Sequence, residues 1–215
     1  MIATFDRSRG AYSRVARWYG GLRSVPDRMC HAARHAAACR RIQEMERPRT
    51  VLVVCAGNRC RSPYLAGVLS HALPGIRFAS AGFTAASGPV PPHALAVSSR
   101  RGLDLSDFRS TTLHPRRAGT ADLVVVMDAE QARYLARYMG VSHSKVIIAG
   151  DLDPKKSPAR EIEDPWQQSI EVFESSFDRL DRCARTLVRL IRPEEPARRF
   201  PPTGAAPGAT KISNR

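Results

Sequence analysis

Val51-Leu52-Val53-Val54-Cys55-Ala56-Gly57-Asn58-Arg59-Cys60-Arg61-Ser62-Pro63 is the stretch on which the reading of this chain turns. It begins as a short apolar run rich in β-branched residues, the pattern of a buried strand. It breaks at Gly57 and Asn58, two residue types that tolerate positive φ and mark a turn. Ser62 and Pro63 then read as an N-cap and first-turn pair for a helix over Tyr64–Leu73. A cysteine therefore stands at the end of a strand, in a loop that curls into a helix N-terminus.

Such a loop is suited to hold an oxyanion. The backbone N–H groups of Ala56, Gly57, Asn58, Arg59 and Cys60 converge on one point, and the helix dipole reinforces them. Arg61 adds a planar fork matched to two oxygens of a phosphoryl group. The same field favours a thiolate at Cys55, and the Ser62 hydroxyl is placed to donate to it. A nucleophile at the floor of a phosphate cradle points to phosphoryl transfer through a phosphocysteine.

Outward from this stretch the chain alternates strands and helices. Ile76–Gly82 reads as a second strand, followed by a Gly/Pro-rich loop from Phe83 to Pro92 and a helix over His93–Arg101 that Gly102 ends. Asp122–Asp128 is a third strand and Lys145–Ile148 a fourth, with a helix through Ala129, Ala132, Leu135 and Met139 between them. Ser169–Ile191 is a long terminal helix whose Ile170, Phe173, Phe177, Leu180, Ala184, Leu187 and Ile191 trace one face; Cys183 beside them reads as core. The fold class is α/β: a four-stranded parallel sheet with helices on both faces and a phosphate-binding loop after the first strand. Ligands in such sheets bind at the carboxyl edge of the strands.

A phosphocysteine route needs an acid for the leaving group and a base for water. Asp164 in Asp164-Pro165-Trp166, just before the last helix, is the candidate. The proline stiffens the loop, and Trp166 can wall the cleft. Asp153-Pro154 carries the same dipeptide nearby; position after the fourth strand is what favours Asp164.

The ends of the chain differ from its middle. Residues 1–50 hold 11 arginines against 4 acids, and residues 192–215 hold 5 basic against 2 acidic residues, out of a net charge of +14. Residues 1–49 read as a basic, partly helical extension: one helix around Val15, Trp18, Tyr19 and Leu22, and a second from Pro26-Asp27 to about Met45. The second has an apolar face of Met29, Ala33, Ala36 and Ala37. The reading divides the chain into this extension, a catalytic domain over 50–192, and a disordered Pro/Gly/Ala-rich tail over 193–215. The amphipathic extension suits docking on its own core or on a second subunit, ahead of an acidic partner or the periphery of a membrane. No nucleic-acid partner is expected. No apolar run is long enough to span a bilayer, and five irregularly spaced cysteines form neither a secreted disulfide framework nor a zinc set. A reducing cytoplasm, no metal and no cofactor are the expectation.

The stretch around Cys55 resembles the active-site loop of the low-molecular-weight protein-tyrosine-phosphatase family, V-C-x-G-N-x-C-R-S-P, including its second cysteine, Cys60. The resemblance runs over about residues 50–191. It takes in Ser80-Ala81-Gly82, Gly102-Leu103-Asp104-Leu105-Ser106, Ala121-Asp122-Leu123 leading into Met127-Asp128, and the Asp-Pro-aromatic element. It implies metal-free hydrolysis of phosphate monoesters, usually phosphotyrosine in proteins. Carried over, Cys55 is the nucleophile, Arg61 the phosphate clamp and Asp164 the acid, while Asn58 and Ser62 hold the loop in shape.

Departures from the family bear on substrate. Ala85 and Ala86 stand where the cleft usually has a larger residue, Phe108 where many relatives have a bracing histidine, and Ala66 in place of an acidic residue. Arg59 replaces the Ile or Leu of tyrosine-specific relatives, and the threonine that goes with arginine-phosphate specificity is lacking. Two rival functions share the pattern. One is a thiol-dependent arsenate reductase, in which Cys60 would be a resolving thiol. The other is a non-catalytic module that binds phosphate or a partner. In a phosphatase, Cys60 would instead trap an oxidised Cys55 before irreversible damage.

Overall fold

The computed structural model describes residues 29–84, 87–192 and 210–211. The expected helix around Trp18, the pair Ala85 and Ala86, and most of the tail lie outside the described residues. The elements in order are α1 (residues 29–44), β1 (Thr50–Cys55), α2 (Arg61–Ala72), β2 (Arg77–Gly82), α3 (Pro92–Arg100) and β3 (Leu103–Asp104). They continue with α4 (Pro115–Thr120), β4 (Leu123–Val126), α5 (Ala129–Met139), β5 (Val146–Ile148), α6 (Ile170–Ile191) and β6 (Thr210–Lys211).

β2, β1, β4 and β5 form one sheet in that order, every pair parallel. β1 lies inside the sheet and is buried on both faces, which is why its sequence is an unbroken apolar run. Val51, Val53 and Cys55 face one core with Leu69, Phe177 and Leu187; Leu52 and Val54 face another with Leu113, Leu135 and Val141. Asp122 fastens the start of β4 to that of β1: its Oδ2 accepts from Arg49 N–H, Thr50 N–H and Thr50 Oγ1, each at 2.9 Å. The Tyr64 hydroxyl on α2 donates to Asp181 on α6 at 2.8 Å, and Arg101 reaches Asp181 and Asp178, both at 2.8 Å. These bonds lock α2, the end of α3 and α6 together behind the loop that follows β1.

Two local expectations change. Ser62 is not the N-cap of α2. The helix begins at Arg61 with Cys60 in the capping position and no side-chain cap, because the Ser62 hydroxyl is used elsewhere, as described below. The second helix of the extension forms, but it turns a different face inward. Met29 is 77 % exposed and Ala33 and Ala36 are exposed, whereas His31, Ala38 and Ile42 are buried. Ala38 and Ile42 enter the main core, and polar contacts accompany this rotation. His35 Nδ1 lies 2.8 Å from Asp151 O, and Arg41 Nη2 donates at 2.9 Å to Val146 O on the edge strand β5. α1 thus covers an unpaired strand edge that would otherwise invite association. Ile42 is 3 % exposed and belongs to the main core. Ile42→Ala should lower unfolding free energy by about 2–4 kcal/mol, read from urea unfolding; a change within about 0.5 kcal/mol would mean α1 is only loosely attached.

Thr210–Lys211 pairs in parallel with Leu103–Asp104. Strands of two residues carry no readable period, and neither was expected from sequence. Nor was the six-residue α4.

Candidate active site

The loop after β1 wraps around the Cys55 thiol. Cys55 is 2 % exposed. Asn58 N–H donates to its Sγ at 3.2 Å, and Ser62 Oγ lies 3.1 Å from it. Ser62 occupies the second position of α2, so the helix N-terminus and the hydroxyl both face the sulfur.

Asn58 is the clamp of the loop. It takes the left-handed conformation at φ 51°, which asparagine tolerates better than most residues. Its Nδ2 donates to Ser62 Oγ and Ser80 Oγ, both at 2.9 Å, and its Oδ1 accepts from Thr111 N–H at 2.8 Å. Gly57, expected to share the positive φ, does not have it, and a Cβ there would meet nothing within 4 Å. The glycine that the loop cannot do without is Gly82, at the end of β2. A Cβ on Gly82 would stand 2.7 Å from Asn58 N, 2.8 Å from Ala56 O and 2.8 Å from Gly57 C, all backbone. Gly82→Ala must therefore push the loop outward. We expect kcat/KM to fall by about tenfold or more while the circular-dichroism spectrum keeps its native form; unchanged kinetics would show that the loop geometry is slack.

Arg61 is 4 % exposed. Its Nη1 donates to Ile162 O at 2.9 Å, its Nη2 pairs with Asp164 Oδ2, and its Nε has no partner among the described residues. An arginine this deeply buried, with one donor unused, is poised to re-partner. Asp164 is more open. Its other oxygen accepts from Trp166 N–H at 3.2 Å, and Gln168 N–H closes the turn on Pro165 O at 2.9 Å. The loop that carries it is fixed from beneath by Ile162 N–H to Met127 O at 3.0 Å and Ser176 Oγ to Glu163 O at 2.8 Å.

The guanidinium of Arg59 lies over the Trp166 ring, 4.3 Å from its centroid, and Arg59 Nε donates to Pro89 O at 2.8 Å. The two side chains link the loop after β1 to the loop that carries Asp164, across the mouth of a cleft. Cys55, Ala56, Gly57, Arg59, Cys60, Arg61, Asp164 and Trp166 all border one cavity of about 340 Å³, as does Thr84. Asn58 and Ser62 lie behind it. Cys60 is buried, and that burial, with the Cys55 sulfur and the Asp164 carboxylate next in weight, pushes its thiol well above the ordinary range. It is held as a neutral thiol beside Cys55.

Asp153 has a different task. It is fully buried and receives Arg182 at 2.8 and 2.9 Å and Arg179 at 3.2 Å. Burial alone would raise its pKa, but the hydrogen bond from Arg182 and the neighbouring donors hold it below the usual carboxylate range. It is an internal ion pair that anchors the segment after β5 to α6. Sequence reasoning missed Ser80, Thr111 and Thr84. Ser80 and Gly82 lay inside a recognised motif without a role; Thr111 acts through its backbone, which leaves no signal in residue type. Phe108 is buried at 1 % exposure and packs in the main core.

Residues 50–197 match the family model described as low molecular weight phosphotyrosine protein phosphatase. The chain is 33 % identical over 145 residues to the probable low molecular weight protein-tyrosine-phosphatase EpsP of Ralstonia nicotianae, covering 67 % of this chain and 97 % of that one. Among solved structures it resembles the tyrosine phosphatase AmsI of Erwinia amylovora, with a TM-score of 0.61 and 30 % identity over 66 % of this chain and 92 % of that one. It also resembles the YwlE arginine phosphatase of Geobacillus stearothermophilus, with a TM-score of 0.60 and 28 % identity over 68 % and 95 % of the two chains.

Proposed function

The chain belongs to the low molecular weight phosphotyrosine protein phosphatase family, and from that premise we propose that it hydrolyses phosphotyrosine in proteins through a phosphocysteine on Cys55. One observation carries the residue roles: a buried thiol, a buried arginine with an unused donor and an aspartate border a single cleft. The Cys55 thiolate attacks phosphorus, and the bond from phosphorus to the tyrosyl oxygen breaks. Asp164 gives its proton to that oxygen as it leaves. Water then attacks the phosphocysteine, Asp164 takes its proton, and the sulfur–phosphorus bond breaks to release phosphate and the thiolate. Arg61 and the loop N–H groups hold the equatorial oxygens throughout. Arriving phosphate competes with Asp164 for Arg61, so binding substrate frees the acid as it fills the cradle.

Trp166 and Arg59 form the wall against which the tyrosyl ring rests. Arg59→Leu removes a cation–π contact worth about 0.5–1 kcal/mol, so KM for a phosphotyrosyl peptide should rise about two- to fivefold with kcat little changed. A large loss in kcat instead would put Arg59 into the chemistry.

Phosphoarginine is the second reading, favoured by the similarity to the YwlE arginine phosphatase. The direct test is phosphate release from phosphotyrosyl and phosphoarginyl peptides, run beside arsenate with a thiol reductant. The phosphotyrosyl peptide should be the better substrate by about tenfold or more in kcat/KM. A preference for phosphoarginine, or arsenite production alone, would overturn the assignment.

We take residues 50–192 as the catalytic unit, 1–49 as an extension and 193–215 as a tail, and the cytoplasm as the site of action. The cysteines at 30, 39, 55, 60 and 183 are all free, and among the described residues no helix is long and apolar enough to cross a membrane.

A further inference from the structure

Arg59 carries a positive charge to the mouth of the catalytic cleft, and the groups that hold it there are electrically neutral. Its Nε donates to Pro89 O at 2.8 Å, and its guanidinium lies 4.3 Å from the centroid of the Trp166 ring. Among the described residues no carboxylate pairs with it. Asp164, the single carboxylate among the described residues that border the cleft, is paired with Arg61. Neither contact of Arg59 uses up the group. The bond to Pro89 spends one N–H of the fork, and a ring attracts the cation through its face, so N–H groups at the outer end stay open to an acceptor. Arg59 is also half-buried and held at two points. Little side-chain freedom remains for it to lose when a partner arrives.

Position decides what that partner is. The phosphoryl group belongs to Arg61 and to the backbone N–H groups at the floor. The Arg59 side chain reaches instead to Trp166 and Pro89, where a peptide must pass when its phosphotyrosine enters the cleft. A carboxylate matches the guanidinium fork oxygen for N–H and supplies the missing counter-charge. We propose, building on the phosphotyrosine reading above, that Arg59 selects substrates in which an aspartate or glutamate flanks the phosphotyrosine. That carboxylate pairs with the Arg59 guanidinium while the phosphotyrosyl ring lies against Trp166.

A chain of net charge +14 attracts any acidic peptide from a distance, so the test compares peptides in which charge is moved as well as removed. Three phosphotyrosyl peptides of one length serve. The first has glutamate on both sides of the phosphotyrosine; the second has those glutamates moved to its ends with glutamine in their place; the third has glutamine throughout. Phosphate release by the full chain should give the first a kcat/KM about threefold or more above the other two, through KM with kcat little changed. Arg59→Leu should bring the three peptides to within about 1.5-fold of one another. The ring contact is lost for every peptide alike, so the ratio between peptides isolates the charge. The proposal is overturned if the parent turns over the three peptides equally or if the displaced glutamates serve as well as the flanking ones. It is also overturned if Arg59→Leu slows all three by the same factor, which would put the guanidinium on the phosphoryl group. Turnover of none of the three would overturn the phosphotyrosine reading itself, and this inference with it.

Discussion

Cys55→Ser is expected to abolish turnover on every phosphate ester while leaving the fold and phosphate affinity in place. A serine hydroxyl in the same position keeps the contacts with Asn58 N–H and Ser62 Oγ, but it is not ionised near neutrality and leaves phosphorus far less readily than sulfur. The loss should approach the whole catalysed rate, about a thousandfold or more. Isothermal phosphate binding checks that the cradle survives. Residual activity within about tenfold of the parent would show that another group, or water directly, attacks phosphorus.

Asp164→Asn should slow hydrolysis by about a hundredfold or more for phosphotyrosyl peptides, the usual worth of a general acid, and much less for p-nitrophenyl phosphate. A nitrophenolate departs without a proton; a tyrosyl oxygen does not. The substitution also removes the charge that pairs with Arg61, so phosphate should bind no more weakly, and KM should hold or fall. Equal losses on both esters would remove Asp164 from the acid role and leave it as the partner that parks Arg61.

The parts of this molecule that could be read from sequence are those in which residues serve their own neighbourhood. β1, its loop and α2 are contiguous, and the apolar run, the Gly-Asn turn and the arginine each signal locally. α6 announces itself through seven apolar residues at helical spacing, all of them buried or packed on the core. Where tertiary partners decide, the reading turned out differently. The inward face of α1 is Ala38 and Ile42, fixed by His35 against Asp151 O and Arg41 on Val146 O of β5, so His31 lies inside and Met29 outside. Ser62 looked like a cap because cap and thiol partner are the same residue type in nearly the same place. Gly57 drew attention because it sits in the loop, whereas the steric demand falls on Gly82, far along the chain, whose missing side chain lets the loop close over β2. The pairing of Arg61 with Asp164 and the bridge from Arg59 to Trp166 join loops distant in sequence, and no spacing could have disclosed them.

The proposed mechanism forms a covalent bond between Cys55 and phosphorus. Rapid acid quenching of the full chain during steady turnover of a phosphotyrosyl peptide, followed by mass spectrometry of the peptide containing Cys55, tests this directly. A phosphoryl adduct on Cys55 should appear with the first release of tyrosyl product and vanish when substrate is exhausted. Sustained phosphate release with Cys55 unmodified at every quench time would contradict it.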